Sequence, residues 1–295
     1  MARRATRGPH PSLAIFVRRP VFASAPAADY SGSALLYCKT VFRSAYAIVV
    51  IIVLTVLCGI PAALLSLVNP RGDWVVRIGR VWARGIANAA GVSIEARGVE
   101  HLPQGHPYIL ISNHQSHFDL IAFILTFPRS FRVVAKRLLF YIPIFGWCLW
   151  AAGMIPIDRS RRQSAIKSLE RAAERVRAGE PILFYPEGTR SPDGDLLPFK
   201  KGAFVIALKS GVPIVPVSVA GSRAILGKGS IRIRPGRIAI TYGPEIELKS
   251  YTLDEKELLI ERVRQAVIEG LKEVNPARTA AHDAGRARRA ETAPR

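Results

Sequence analysis

Cysteine is scarce in this 295-residue chain, and the spacing of the few present excludes two of its common roles. Cys38, Cys58 and Cys148 lie far apart and form no C-x-x-C pair. An odd, unclustered set argues against both a disulfide framework and a zinc site. We infer a reducing compartment, and we expect Cys58 and Cys148 to serve packing because each lies in an apolar or aromatic run.

Acidic residues are also few, and their shortage leaves the chain strongly basic. Only 22 Asp and Glu stand against 42 Lys and Arg, which gives a formal net charge of +20 at pH 7. Both ends of the chain contribute to this charge, but the middle stays basic without them. Such a surplus suits a polyanionic partner, either a nucleic acid or an anionic membrane surface. No recognisable nucleic-acid-binding motif is present, so we expect no nucleic acid as a partner.

Charged residues are absent altogether from positions 45–68. About 20 apolar residues are enough to cross a bilayer, and this run is too long and starts too late for a signal-peptide core. Basic residues flank both ends, so the charges give no orientation. We predict a membrane-held segment. Two alternatives remain: Gly59-Ile60-Pro61 could break the run into a re-entrant hairpin, or the run could be a buried helix of a soluble domain.

The composition divides the chain into four parts. Residues 1–29 are predicted to be a disordered basic leader, 30–92 a membrane anchor with an interfacial helix, 93–275 an α/β domain and 276–295 a disordered basic tail. The interfacial helix is expected at 73–90, where Trp and apolar residues recur at helical spacing with Arg between them. Packing of that helix on the domain's own core is the alternative.

Short β-type runs alternate with helical segments through most of the predicted domain. This alternation predicts an α/β fold with a largely parallel mixed sheet flanked by helices, preceded by the membrane-embedding helical element. Two further runs, separated by Pro235-Gly236-Arg237, predict an edge hairpin, and a closing helix ends before Pro276. The expected strands are 108–112, 131–135, 154–157, 182–185 and 214–219, with the hairpin at 231–234 and 238–242. The expected helices are 118–125, 161–177, 203–209 and 253–274.

The segment NHQSHFD at 113–119 follows a predicted strand directly. Ligands and catalytic groups in open α/β sheets gather at the carboxyl ends of strands. Ser116 and Asp119 have the spacing of a capping box, which explains both without catalysis but leaves His114 unexplained. With His114 in the loop and Asp119 in the first helical turn, the imidazole and the carboxylate could form a base and its orienting partner. His117 is expected to be an ordinary residue at the helix start.

Three more segments each include part of a predicted strand. In FYPEGTRS at 184–191, Pro-Glu-Gly-Thr is turn chemistry, and an arginine offered from such a turn can grip a phosphate through two hydrogen bonds. In GMIPIDR at 153–159, the last two residues could equally begin the next helix. The segment VPIVPV at 212–217 holds no titratable group, so we interpret it as structural.

Taken in order, these four segments closely resemble the four sequence blocks of the glycerolipid acyltransferases, most of all the 1-acyl-glycerol-3-phosphate acyltransferase type. The resemblance extends over roughly residues 75–245. Lys136 also begins a K-x-x-L-x-x-x-P-x-x-G-W stretch that is similar to one in that family. The chain departs from the pattern at Leu138, where that family commonly has an acidic residue.

The resemblance implies a function and a set of roles. An acyl group would pass from acyl-CoA or acyl-carrier protein to the sn-2 hydroxyl of 1-acyl-glycerol-3-phosphate, which makes phosphatidic acid for phospholipid biosynthesis. His114 would be the general base and Asp119 its orienting partner, without an acyl-enzyme, a metal or a cofactor. The implied acceptor site comprises Lys136, Arg159, Glu187, Gly188, Thr189 and Arg190. The implied location is the bacterial inner membrane, with the catalytic domain facing the cytoplasm and the bilayer, lysophosphatidic acid and the acyl donor as partners.

Other functions remain open at this level. The acceptor could be another lysolipid, such as a lyso-ornithine lipid, because acceptor choice depends on the shape of a pocket. A non-catalytic, membrane-tethered protein that binds anionic lipid would explain the charge equally well. A nucleotide site at 221–229 is a weak match to a P-loop, because Gly229 stands where Ser or Thr should bind magnesium.

Overall fold

The computed structural model describes residues 30–68, 73–158 and 161–274. The predicted leader at 1–29 and tail at 276–295 lie outside the described residues. Within the described ranges the helices are α1 (Tyr30–Val68), α2 (Asp73–Ala90), α3 (Phe118–Thr126), α4 (Phe145–Ala151), α5 (Arg162–Arg177), α6 (Gly202–Ser210), α7 (Ser222–Ile225) and α8 (Lys256–Val274). The strands are β1 (Val92–Arg97), β2 (Ile109–Ser112), β3 (Arg132–Lys136), β4 (Ile155–Ile157), β5 (Ile182–Phe184), β6 (Ile214–Ala220) and β7 (Gly236–Tyr242).

The strands form one seven-stranded sheet in the order β1-β7-β6-β2-β5-β3-β4. Every neighbouring pair is parallel except β6 and β7, which are antiparallel. The mixed, largely parallel α/β sheet that the alternation predicts is thus confirmed. Because β2 lies between β5 and β6, the loop that follows β2 leaves the middle of the carboxyl edge, where binding sites of such sheets lie.

Helices cover both faces of the sheet, and this explains why its central strands are almost entirely apolar. Every residue of β2 and of β6 is buried. Leu110 packs on the side of α2 and α3, whereas Ile109 and Ile111 pack on the side of α5, α6 and α8. A strand that is buried on both faces needs side chains suited to two cores, which produces continuous runs of Ile, Leu and Val rather than alternation.

The predicted edge hairpin is wrong. Residues 231–234 form no strand, and β7 pairs with β6 on one side and with β1 on the other. Ile233, two residues before Pro235, instead lies against α1, where its backbone N–H donates to Ser44 Oγ at 2.9 Å. The pattern of the sequence could not distinguish these outcomes, because Ile233 is buried by α1, an element about 190 residues away in the chain.

Helix α1 continues without a break through Gly59-Ile60-Pro61, so the re-entrant hairpin is not observed. Its segment Lys39–Val68 is long and apolar enough to cross a membrane, as judged by length and composition. A buried core helix would hide this surface, but α1 packs on α2 and α4 along one side and leaves a long apolar stripe exposed. Exposed residues along that stripe include Val49, Ile52, Val53, Leu57, Leu64 and Leu67.

The predicted helix at 73–90 is present as α2, with the same bounds. Its small residues Ala83, Ala87 and Ala90 are completely buried, and α2 lies between α1 and α3. Trp74 and Val81 remain exposed. Packing on the domain's core therefore accounts for one side of this helix, while the opposite side keeps apolar residues at the surface.

Gly221, directly after β6, lies in close contact with the backbone of β7. Its φ is +90°, and a Cβ atom there would collide with the carbonyl oxygen of Arg237. We expect Gly221→Ala to lower the free energy of unfolding by at least about 2 kcal/mol, because backbone strain and a steric clash add together. Gly105 has φ +86° and open space around it, so Gly105→Ala should cost only about 1 kcal/mol. Equal losses in denaturant titrations of the two variants would contradict the clash.

Candidate active site

The loop from Asn113 to His117 connects β2 to α3, and Asn113 fixes its first turn. The Asn113 side chain donates to the carbonyl of Val219 and accepts from the N–H of Val219, both at 2.8 Å. The amide thereby continues the pairing of β2 with β6 by one step beyond the strand. The chain can then turn away from the sheet at His114 while its root stays rigid.

Asp119 organises the rest of this loop from the first turn of α3. Its side chain is fully buried, and Oδ2 accepts three hydrogen bonds: from His114 Nδ1 at 2.8 Å, Gln115 N at 2.7 Å and Ser116 N at 2.9 Å. A carboxylate at this position is favoured by the backbone N–H groups and by the helix N-terminus. Because Oδ2 accepts, His114 Nδ1 carries a proton, and in the neutral ring it is Nε2 that offers a lone pair.

The imidazole of His114 is held in its plane by an aromatic neighbour. The ring of Tyr185, just after β5, stacks on it with centroids 4.0 Å apart and an interplanar angle of 20°. The His114 side chain keeps 21% of its surface exposed, so a substrate can reach it. Burial raises the pKa of Tyr185 well above its usual value, so its hydroxyl stays protonated and cannot serve as a base.

A second loop, which follows β5, holds the backbone of His114 through two hydrogen bonds. The N–H of His114 donates to Glu187 Oε1 at 2.6 Å, and the N–H of Ser191 donates to the His114 carbonyl at 2.8 Å. Glu187 Oε2 accepts from Leu197 N at 3.1 Å, and the residue is only 3% exposed. Both carboxylate oxygens of Glu187 thus accept from backbone donors. Glu187 thereby connects its own loop to His114 in the loop after β2 and to Leu197 further along the chain.

Arg190 supplies a positive charge beside this loop. Burial and then the charge of Arg190 lower the pKa of His117, which keeps that ring neutral. Among the described residues, no carboxylate lies within ion-pair distance of Arg190. A partly exposed guanidinium without an acidic partner, one residue before the Ser191 N–H that donates to the His114 carbonyl, is available to bind an anion.

Ser116 has a structural role. Its Oγ donates to the carbonyl of Leu226 at 2.7 Å and accepts from the N–H of Phe118 at 3.2 Å, and the residue is fully buried. The first bond ties the loop to the segment after β6 that bears the weak P-loop pattern. Both the depth and the bonding of this hydroxyl argue against a role as a nucleophile.

Comparison with known proteins identifies the domain that carries this arrangement. A family model named Acyltransferase matches residues 93–220. The human 1-acyl-sn-glycerol-3-phosphate acyltransferase alpha is 33% identical over 186 residues, which are 63% of this chain and 66% of the human protein. The chloroplastic 1-acyl-sn-glycerol-3-phosphate acyltransferase BAT2 of Brassica napus is 40% identical over 154 residues, which are 52% of this chain and 44% of that protein.

Similarity of structure leads to the same family. The crystal structure of the 1-acyl-sn-glycerophosphate (LPA) acyltransferase PlsC from Thermotoga maritima superposes with a TM-score of 0.71 and 25% identity. The superposition covers 81% of this chain and 97% of the Thermotoga chain. The domain at residues 93–220 belongs to the acyltransferase family. The chain's matched segments span about half to two thirds of the length of the two curated relatives.

The acyltransferase domain brings the predicted site residues together to different degrees. His114, Asp119 and Glu187 form one hydrogen-bonded cluster, and Arg190 is beside it. Lys136 is exposed at the carboxyl end of β3, on the same edge of the sheet, and makes no hydrogen bond to the cluster within the described part of the chain. Arg159 lies outside the described residues, although β4 ends at that edge two positions earlier.

The turn at 186–190 shows why a glycine stands in the acyltransferase domain's second loop. Gly188 has φ +73°, and a Cβ atom there would meet the side chain of Lys200, with Nζ at 2.9 Å. Thr189 is exposed in the same turn. Lys200 and Tyr185 were not predicted as site residues, because their proximity depends on how the two loops pack. The only sequence signal for Tyr185 is its position directly after a strand and before Pro-Glu-Gly.

The buried carboxyl of Glu187 gives a pH-dependent stability. Burial raises its pKa to about 7, against the opposing effect of its two backbone donors. The folded state therefore holds a proton that the unfolded state releases near pH 4.5. Stability from this group is complete below about pH 4.5 and is lost as the pH rises to about 7, by about 3 kcal/mol in total.

Glu187→Gln removes this titration. We expect the wild-type chain to lose about 3 kcal/mol of unfolding free energy between pH 4.5 and pH 8 relative to this variant. Denaturant titrations in detergent at both pH values measure the difference, and other ionisable groups cancel because they are shared. The same pH slope in both chains would show that Glu187 does not carry the raised pKa.

Proposed function

We propose that this chain transfers a fatty acyl group from a thioester donor to the sn-2 hydroxyl of 1-acyl-glycerol-3-phosphate, which makes phosphatidic acid. The observation that carries the proposal is the state of His114. Its Nδ1 is bound to the buried Asp119 carboxylate, while Nε2, on a partly exposed ring, has no hydrogen-bond partner among the described residues. The names of the human and Brassica relatives support the choice of acceptor.

The proposed reaction needs one base and no covalent enzyme intermediate. His114 Nε2 takes the proton of the acceptor hydroxyl as its oxygen attacks the thioester carbonyl, so a C–O bond forms. The C–S bond then breaks, and the imidazolium returns its proton to the leaving thiolate. Asp119 stabilises the imidazolium while it exists, since its charge is buried and 2.8 Å from Nδ1. The donor is acyl-CoA or acyl-carrier protein, and no metal or cofactor takes part.

The acceptor's phosphate is proposed to bind at Arg190. Its guanidinium has no acidic partner among the described residues and can offer two parallel hydrogen bonds. Gly188 and Thr189 complete the same turn, and Lys136 and Arg159 are proposed to add positive charge from neighbouring strand ends. Glu187 is proposed to act through His114 as a positioning residue rather than by touching the acceptor, because both of its oxygens are already bound.

The proposed location is a membrane, which suits both a lipid acceptor and the exposed apolar stripe of α1. The exposed stripe of α1 is unsuited to water, and burial in lipid would satisfy it. We further propose that this is a bacterial inner membrane with the catalytic domain on the cytoplasmic side, because the thioester donors are cytoplasmic. The lone guanidinium of Arg190 favours a phosphate-bearing acceptor over other lysolipids.

His114→Ala should abolish acyl transfer. Loss of the base is expected to lower the rate at least about a thousandfold, while the chain still folds and associates with membranes. Purified protein is incubated with lysophosphatidate and either acyl-CoA or acyl-carrier protein, and mass spectrometry measures phosphatidate. His106→Ala is the matched control, because His106 is exposed and paired with Glu245. Retained turnover in His114→Ala would refute the catalytic assignment.

Arg190→Ala should weaken the acceptor but not the donor. Loss of a charge-assisted pair costs about 1.5–3 kcal/mol, which corresponds to an acceptor KM about 10- to 150-fold higher. The donor KM should stay within about twofold. Arg171→Ala, on the exposed side of α5, is the control with the same loss of charge. Equal increases in both KM values would argue against phosphate binding by Arg190.

A further inference from the structure

A second exposed apolar surface lies outside α1, between β3 and β4. Five large side chains in this stretch face outward: Leu138, Tyr141, Ile142, Trp147 and Trp150, here called the aromatic surface. Trp147 and Trp150 are 55% and 59% exposed, although tryptophan normally buries most of its area. Apolar residues gathered in this way mark an interaction site rather than an ordinary soluble surface.

The aromatic surface is continuous with the exposed stripe of α1. A Cβ atom at Gly59 of α1 would meet Cys148 Sγ at 2.5 Å, so the absence of a side chain at Gly59 lets α4 pack directly on α1. A cavity of about 860 Å³ opens between the two helices. Its walls include Leu64 and Leu67 of α1 together with Trp147 and Trp150 of α4. The two exposed apolar surfaces therefore meet across one groove.

A strained turn holds α4 in this position. The N–H of Phe145 donates to the carbonyl of Pro143 at 2.6 Å, which closes a γ-turn with φ +63° at Ile144. A positive φ is unfavourable for a β-branched residue and persists only where the surrounding packing enforces it. Ile144 is close to Gly59, so contact with α1 provides that packing. The orientation of the aromatic surface is fixed by the same contact.

The charges around the aromatic surface suit lipid head groups. Residues 131–157 contain no Asp or Glu, and Lys136 and Arg137 are exposed there, whereas Arg132 is paired with Glu180 of the groove. Arg137 Nε donates to the hydroxyl of Tyr141 at 3.1 Å, which places a cation beside the exposed ring. Exposed Trp and Tyr with neighbouring Lys or Arg match the boundary between acyl chains and phosphates. A protein partner would not require this combination.

We propose that the aromatic surface is a second membrane-contact element, inserted beside α1 into the lipid head-group and upper acyl region of the bilayer. The proposal rests on the proposed membrane location of α1 and not on the chemistry at His114. The segment leaves the carboxyl end of β3, the edge that also carries His114. Its insertion therefore holds that edge of the domain against the membrane surface.

Quenching of single tryptophans by brominated lipid tests the proposal. The chain has four tryptophans, so replacing Trp74, Trp82 and Trp150 by Phe leaves Trp147 as the only reporter. Two matched reporters are Leu57→Trp on α1 and Leu258→Trp on α8, each in a chain whose own tryptophans are all Phe. Leu57 and Leu258 are both 63% exposed, and α8 packs on the opposite face of the sheet from α2 and α3.

In phosphatidylcholine–phosphatidylglycerol vesicles with brominated acyl chains, we expect strong quenching of Trp147 and of the α1 reporter, but none of the α8 reporter. Quenching of the α1 reporter without quenching of Trp147 would overturn this inference alone. If neither is quenched, the membrane location of α1 fails as well, and acyl transfer by His114 is judged separately by its own assay. Quenching of the α8 reporter would also overturn the inference, because it would show insertion without selectivity.

A wild-type measurement guards against misfolding of the tryptophan variants. Vesicles that carry a lipid with a photoactivated diazirine in its acyl chain are irradiated with the unaltered protein, and labelled peptides are mapped by mass spectrometry. We expect label in the peptide with Tyr141, Trp147 and Trp150, as in α1, and none in α8. Label in α1 but not in that peptide would contradict the proposal.

Discussion

The site depends on one oxygen atom that accepts three hydrogen bonds. Asp119 Oδ2 receives the imidazole N–H of His114 and two backbone N–H groups from the turn before α3. The backbone N–H groups of Gln115 and Ser116 fix the Asp119 carboxylate, and the same carboxylate holds the imidazole of His114. The loop therefore cannot fold in this way without also orienting the ring. Burial strengthens all three bonds and makes loss of any partner costly. The same carboxylate thus caps the turn before α3 and, on the proposed function, orients the base.

The sheet supplies the rigidity that this arrangement requires. The loop from β2 is rooted by the Asn113–Val219 pairing, and the loop from β5 holds the peptide groups of His114 through Glu187 and Ser191. Neighbouring parallel strands thus deliver their loops to one place, and each loop limits the freedom of the other. Tyr185 adds a flat contact on the imidazole. A ring restrained by a carboxylate, by stacking and through its own backbone keeps one orientation, which preorganises its free nitrogen.

Sequence patterns predicted the parts of the fold that local chemistry determines. The bounds of α2 and the apolar strands of the central sheet followed from periodicity and from burial on two faces. The predicted hairpin was wrong because Ile233 lies against α1. Strand β1 was not predicted, because what makes it a strand is its pairing with β7, which is far away in the chain. His114 and Asp119 could be paired from spacing and strand-end position. The bonding of Glu187 and the stacking of Tyr185 could not, since both depend on the distance between two loops about 70 residues apart in the chain.

The close packing of α1 on α2 and α4 has a kinetic consequence. A helix attached by a flexible linker would let its domain sample the solution, whereas a helix packed along its domain moves with it as one body. On the proposed function, the enzyme and its lipid acceptor then search for each other by lateral diffusion in two dimensions. The turnover rate would respond to the mole fraction of acceptor in the membrane and would fall on dilution with inert lipid, even at constant bulk concentration. Only the thioester donor would reach the enzyme by diffusion through the aqueous solution.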